Sequence, residues 1–130
     1  MKGIVLIADN IKQLVEARAE ILTRLGYKVL KATNSDGARK VIRSNWMHLA
    51  ILDIRLEDDN REDDTSGLDL AQEEEFRDIP KMILTGFPSI DLVRSALPPE
   101  HPGRPPVLRF LSKREGTDAM VLAVEEIFRE

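Results

Sequence analysis

The chain has no cysteine. That excludes a disulfide framework and thiolate catalysis, and it fits a reducing compartment. Histidine is nearly absent too: His48 and His101 stand in unlike contexts, and no metal pair is read from them. There is no excess of positive charge, since the formal net charge is −4, so direct nucleic-acid binding, which wants a basic face, is not expected. No stretch approaches the ~18 apolar residues of a membrane span. The opening MKGIVLIADN has a short apolar run that stops at Asp9, without the longer apolar core of a signal peptide. Repeats and low-complexity tracts are also missing. A cytoplasmic protein, off the membrane, is the default expectation.

What is present is an ordinary globular composition: 130 residues, 42% hydrophobic and 32% charged. Such a length fits one core, so residues 1–130 are read as a single domain. The order of periodicities carries the fold. Ile4 to Ala8 is a continuous apolar run, the mark of a strand covered on both faces. From Lys12 the period lengthens: Leu14, Ala17, Ile21, Leu22 and Leu25 are placed on one helical face, with Gly26 as the stop. Tyr27 to Ala32 predicts a second strand, less apolar and so nearer an edge, and Asn34-Ser35-Asp36 offers caps for a helix burying Ala38, Val41 and Ile42. Leu49 to Leu52 is a third strand. Gly67 opens a helix with Leu68, Leu70, Ala71 and Phe76, and Lys81 to Leu84 is a fourth strand ending at Thr85-Gly86.

Ile90 to Leu97 is expected as a short helix stopped by Pro98-Pro99, because proline lacks the N–H that a helix needs. Five of the seven prolines fall between Pro98 and Pro106, an extended connector. Val107 to Leu111 is a fifth strand, and Asp118 is expected to cap a last helix with Met120, Val121, Val124, Ile127 and Phe128 on one side. Strands alternating with helices imply an α/β protein with a parallel sheet wrapped on both faces.

In open α/β sheets, sites form beyond the carboxyl ends of the strands. Asp9 and Asn10 stand there after strand one, Asp53 after strand three, Thr85 at the end of strand four, and Ser112-Lys113 after strand five. Two carboxylates, an amide, a hydroxyl and an ammonium on one edge suit phosphoryl transfer to a carboxylate. Asp53 would be the acceptor, a hard divalent cation such as Mg²⁺ would supply positive charge, and Lys113 would add a second positive centre.

The arrangement resembles the receiver domain of two-component response regulators across essentially the whole chain. The carriers are IVLIADN, AILD ending in Asp53, SGLDLA, MILTG with Thr85 and FLSK with Lys113. The resemblance implies a doubly wound, flavodoxin-like five-stranded sheet of order 2-1-3-4-5 with helices on both faces. It implies that Asp53 is the phospho-acceptor, that Thr85 and Lys113 read the phosphoryl group, and that Phe110 stands at the aromatic switch position. Mg²⁺ would be held by Asp9, Asn10, Asp53 and the backbone carbonyl of Arg55. The donor would be a sensor histidine kinase or phosphotransfer protein. Output would pass through an unspecified protein partner, with homodimerisation left open. Such a domain is no enzyme beyond catalysing its own phosphorylation and dephosphorylation.

The sequence departs from the family at several points. The usual acidic pair after strand one is here Asp9-Asn10, which removes a formal charge from the metal site and predicts weaker binding. Arg114 follows Lys113 where the family usually has proline, so the loop presenting Lys113 is expected to differ in shape. The proline-rich segment remodels the face where receivers commonly signal. The loop after Asp53 carries Glu57, Asp58, Asp59, Glu62, Asp63 and Asp64 and is longer than usual. Asp58, Asn60, Glu62 and Asp69 have a calcium-loop spacing, but Asp63 stands where that loop requires glycine, so a solvated loop is the preferred reading.

Two other functions compete. A pseudo-receiver, using the fold as a phosphorylation-independent interaction module, is favoured by Asn10 and Arg114 and opposed by Asp53, Thr85 and Lys113. A phosphatase of the haloacid dehalogenase type wants Asp-x-Asp, which neither Asp53-Ile54-Arg55 nor Asp9-Asn10-Ile11 supplies.

Overall fold

The structure, a computed structural model, describes residues 2–86 and 109–129. The helix expected over Ile90 to Leu97, the Pro98 to Pro106 connector, His101 and the start of the fifth strand at Val107 lie outside the described residues. Five parallel strands form one sheet: β1 (Ile4–Ala8), β2 (Lys28–Ala32), β3 (Leu49–Leu52), β4 (Lys81–Thr85) and β5 (Arg109–Ser112). Their order is β2-β1-β3-β4-β5, the doubly wound order 2-1-3-4-5 expected above. The three central strands are the apolar ones, and Val5 to Ala8, all of β3 and all of β4 are buried. Edge strand β2 is only partly covered, with Lys28 and Lys31 exposed.

Alternation along the strands divides the core into two layers. On one face Leu6, Ala8, Ala50, Leu52 and Ile83 meet α2 (Ser35–Ser44) and α3 (Ser66–Ala71) through Ala38, Ile42, Leu68 and Leu70. On the other, Val5, Ile7, Leu49, Ile51, Met82 and Leu84 meet α1 (Lys12–Arg24) and α4 (Gly116–Arg129) through Val15, Ala19, Leu22, Met120, Ala123 and Val124. Among the described residues no helix is long and apolar enough to cross a membrane.

Three local expectations are corrected. The inward face of α1 is Val15, Ala19 and Leu22, whereas Ala17 and Leu25 are exposed. The helix is turned by about one residue from the predicted stripe, which leaves Arg18 at the border of the buried face, beside Asp9. The helix expected from Gly67 through Phe76 stops at Ala71, and Phe76 reaches the core from a separate 3₁₀ turn, Glu74–Phe76. Continuing the helix would put Glu73, Glu74 and Glu75 at a carboxyl terminus, where the dipole disfavours acids. Two of them are drawn instead to α2, Glu73 by Arg39 at 3.0 Å and Glu75 by Arg43 at 2.5 Å. Asp118 is not a cap but a first-turn acid of α4. The turn before that helix, Lys113–Glu115, is closed by a capping box of Ser112 and Glu115. The other two helix boundaries are as expected: Asn34 accepts from the Gly37 N–H at 2.7 Å, and Gly26 ends α1 at φ 104°.

Candidate functional site

Strand register assembles the site. Ala8 pairs with Leu52 across β1 and β3, so the next residues, Asp9 and Asp53, stand side by side beyond the ladder. The Asp53 N–H donates to the Ala8 carbonyl at 3.0 Å and the Asp9 N–H to the Ala32 carbonyl at 3.2 Å, which fixes both backbones. Thr85 pairs with Ser112 across β4 and β5, so Lys113 is the first residue past that edge. Its ammonium reaches back over β4 to Asp53 Oδ2 at 3.2 Å and Asp9 Oδ2 at 2.7 Å. Thr85 is fully buried at the end of β4. Phe110 is half-buried and packs on the α2 and α3 layer. Arg55 lies in the turn after β3, and its guanidinium donates to the Asp59 carbonyl at 3.0 Å.

The close approach behind Asp53 depends on Gly67. Its N–H donates to the Ile54 carbonyl at 2.9 Å, and a Cβ on Gly67 would overlap the Asp53 carbonyl oxygen. Only glycine lets the first turn of α3 lie against the loop that follows β3 here.

Sequence reasoning missed Arg18. It lies on the inward side of α1, and its guanidinium donates to Asp9 Oδ2 at 3.0 Å. The other Asp9 oxygen accepts the Ile11 N–H at 2.9 Å, so Asp9 closes the turn into α1 without being the N-cap. Two carboxylates therefore face two cations, and the pocket is close to neutral. Even so, two oxygens remain without donors: Asn10 Oδ1 and Asp53 Oδ1 are buried and unpartnered. Buried acceptors left bare carry a desolvation cost, which a bound cation or donor would relieve. Desolvation, then the neighbouring Asp9 charge, raise the Asp53 pKa from 3.8 to about 6, with Lys113 pulling the other way.

The acidic loop is a folded set of turns rather than merely a solvated run. Asp64 gathers it, accepting from the Glu57 and Asp58 N–H groups at 3.0 and 2.7 Å and from the Ser66 N–H at 2.9 Å. Glu57 also accepts the Ser35 N–H at 2.7 Å, tying the loop to the start of α2. Asp58 is bonded to the Asn60 N–H, and Asp69 is turned to the Thr65 hydroxyl. Among the described residues no group of three or more His, Cys, Asp or Glu is arranged to hold a metal. At the carboxyl end of the sheet the side-chain oxygens are of another kind: the carboxylates of Asp9 and Asp53 and the amide of Asn10.

No family model matches the chain, and no curated protein does. Solved structures match closely in shape. A CheY-like response regulator receiver domain protein from Methanospirillum hungatei superposes with a TM-score of 0.81 at 20% identity, covering 97% of this chain and 93% of that one. NtrX from Brucella abortus gives 0.78 at 24%, covering 99% of this chain but only 27% of that longer one. The receiver domain of Francisella response regulator 1452 gives 0.75 at 18%, covering 98% and 97%. The chain has the CheY-like receiver fold.

Proposed function

We propose that the chain is a phosphorylatable receiver domain of a two-component phosphorelay and that Asp53 is its acceptor. The observation that carries this reading is the 3.2 Å contact between Lys113 and a buried Asp53 whose other oxygen has no partner. An ordinary structural salt bridge would satisfy both oxygens; this one leaves a nucleophilic oxygen free at the site. Asp53 attacks phosphorus with that carboxylate, the bond from phosphorus to the donor nitrogen or oxygen breaks, and an acyl phosphate results. Lys113 neutralises charge on the transferring group, and the Thr85 hydroxyl bonds a phosphoryl oxygen after transfer. The Asp53, Asn10 and Asp9 side chains with the Arg55 carbonyl form an oxygen set that fits Mg²⁺, the bare Asn10 and Asp53 oxygens above all. When bound, that ion supplies positive charge to the phosphoryl oxygens.

The donor is a sensor histidine kinase or phosphotransfer protein, and the output is a protein–protein contact. Added charge of about −1.5 to −2 at Asp53 biases the β4–β5 edge between two packings, with Thr85 and Phe110 as the moving parts. One observation favours the second reading, a pseudo-receiver: Lys113 and Arg18 already neutralise both acids in the resting pocket. Titration with Mg²⁺ and beryllofluoride separates the two. Saturable binding that Asp53→Asn abolishes supports the receiver, whereas silence at millimolar Mg²⁺ supports the pseudo-receiver and sinks the proposal.

A further inference from the structure

We propose that Arg18 is a built-in competitor of the divalent cation: its guanidinium latches Asp9 and so sets a weak metal affinity for the pocket. The inference rests on the cation-assisted reading of Asp53 and goes beyond it, to a residue outside the oxygen set.

Each oxygen of Asp9 is already engaged. Oδ1 accepts the Ile11 N–H, and Oδ2 accepts from Arg18 at 3.0 Å and is ion-paired with the Lys113 ammonium at 2.7 Å. Meanwhile Asn10 Oδ1 and Asp53 Oδ1 are bare. A divalent ion that takes up those two oxygens meets one carboxylate of its own, an uncharged amide, and a second carboxylate already turned to two cations. It gains the Oδ2 of Asp9 only by displacing one of them. Lys113 also bonds Asp53, and the phosphoryl chemistry requires it; Arg18 contacts Asp9 without touching Asp53, so Arg18 is the partner that must let go. Guanidinium does not deprotonate in proteins, so loss of the Arg18 proton does not open this latch. Competition for Asp9 does. The side chain is only 12% exposed, so its charge is weakly screened.

The test titrates Mg²⁺ by calorimetry, and Mn²⁺ by electron paramagnetic resonance, into wild type, Arg18→Gln and Arg18→Lys. Arg18→Gln is expected to bind either ion about tenfold more tightly, and Arg18→Lys, which keeps the charge, to stay near wild type. Equal or weaker binding by Arg18→Gln overturns the proposal, as does the absence of saturable binding in every form. Should Arg18→Gln fail to fold, the wild type itself decides. Its Arg18 Nε–H resonance must shift in step with Mg²⁺ saturation, and a resonance that stays fixed while the site fills refutes the latch. Labelling of Asp53 by acetyl phosphate is scored separately. A chain that takes the label but shows no Arg18 effect sinks only this inference, whereas an unlabelled chain sinks the receiver reading.

Discussion

At the carboxyl rim of the sheet, Asp9, Asp53, Arg18 and Lys113 crowd together with only two of their carboxylate oxygens shared among all four. At the amino rim of the same strands, one charge is buried among apolar neighbours. Lys81 opens β4 at 1% exposure, and its ammonium donates to the Phe76 carbonyl. The surface there is aromatic: Trp46, 69% exposed, meets His48 edge-on at 4.3 Å, and His48 lies 5.4 Å from Phe128. His48 in turn accepts the Ile4 N–H at 3.0 Å, so its polar edge is used. The amino rim pairs its buried polar groups and stops. The carboxyl rim is near neutral and still has bare oxygens, so its arrangement is not explained by stability alone. That is the physical difference between a structural end and a chemical one.

The largest break in this contrast comes from Gly67→Ala. The new methyl meets backbone at Asp53 rather than a yielding side chain, so the loop after β3 and α3 must separate. A loss of about 3 to 4 kcal/mol is expected in denaturant unfolding. Loss of the Asp53–Lys113 contact should accompany it, whereas the His48 and Phe128 environment should keep its native resonances.

Asp53→Asn should act in the opposite direction. The fold raises the Asp53 pKa from 3.8 to about 6, so it prefers the protonated acid. The stability this contributes is complete below about pH 4 and is lost as pH rises through about 6. At pH 7 the neutral amide should therefore stabilise the metal-free protein by about 3 kcal/mol at most, and the gain should vanish below pH 4. Unfolding curves across pH 3.5 to 8 check this; an asparagine variant less stable than wild type at pH 7 would mean that the pocket is satisfied after all.

How much of this was legible in the sequence differs between the rims for a related reason. Strand ends are fixed by apolar runs, so Asp9, Asp53, Thr85 and Lys113 could be placed at one edge from the runs Ile4 to Ala8, Leu49 to Leu52, Lys81 to Leu84 and Val107 to Leu111. Sheet order came from resemblance rather than from any period. Arg18 was hidden in another way: four residues after Leu14, it falls on the expected apolar stripe itself, where an arginine passes for a long side chain reaching out to solvent. The turn around Asp64 was equally hidden, because carboxylates bonded to main-chain N–H groups leave no periodic trace. The break after Ala71 was, in contrast, readable from the three consecutive glutamates.

The smallest effect sharpens the comparison from the amino rim. Burial lowers the Lys81 pKa from 10.5 to about 8, with Asp78 opposing. The fold therefore disfavours the ammonium, and wild type gains stability as pH rises from about 8 to 10.5. Lys81→Met removes a cost of about 3 kcal/mol at neutral pH but strands the Phe76 carbonyl, whose charged hydrogen bond is worth about 2. A net gain of about 1 kcal/mol at pH 7, shrinking as pH rises past 8, is expected from thermal unfolding. Because Lys81 lies at the far end of β4 from Thr85, Mg²⁺ affinity should not change in this variant. If it does, the two rims are coupled through the strand, and the division into a structural end and a chemical end is wrong.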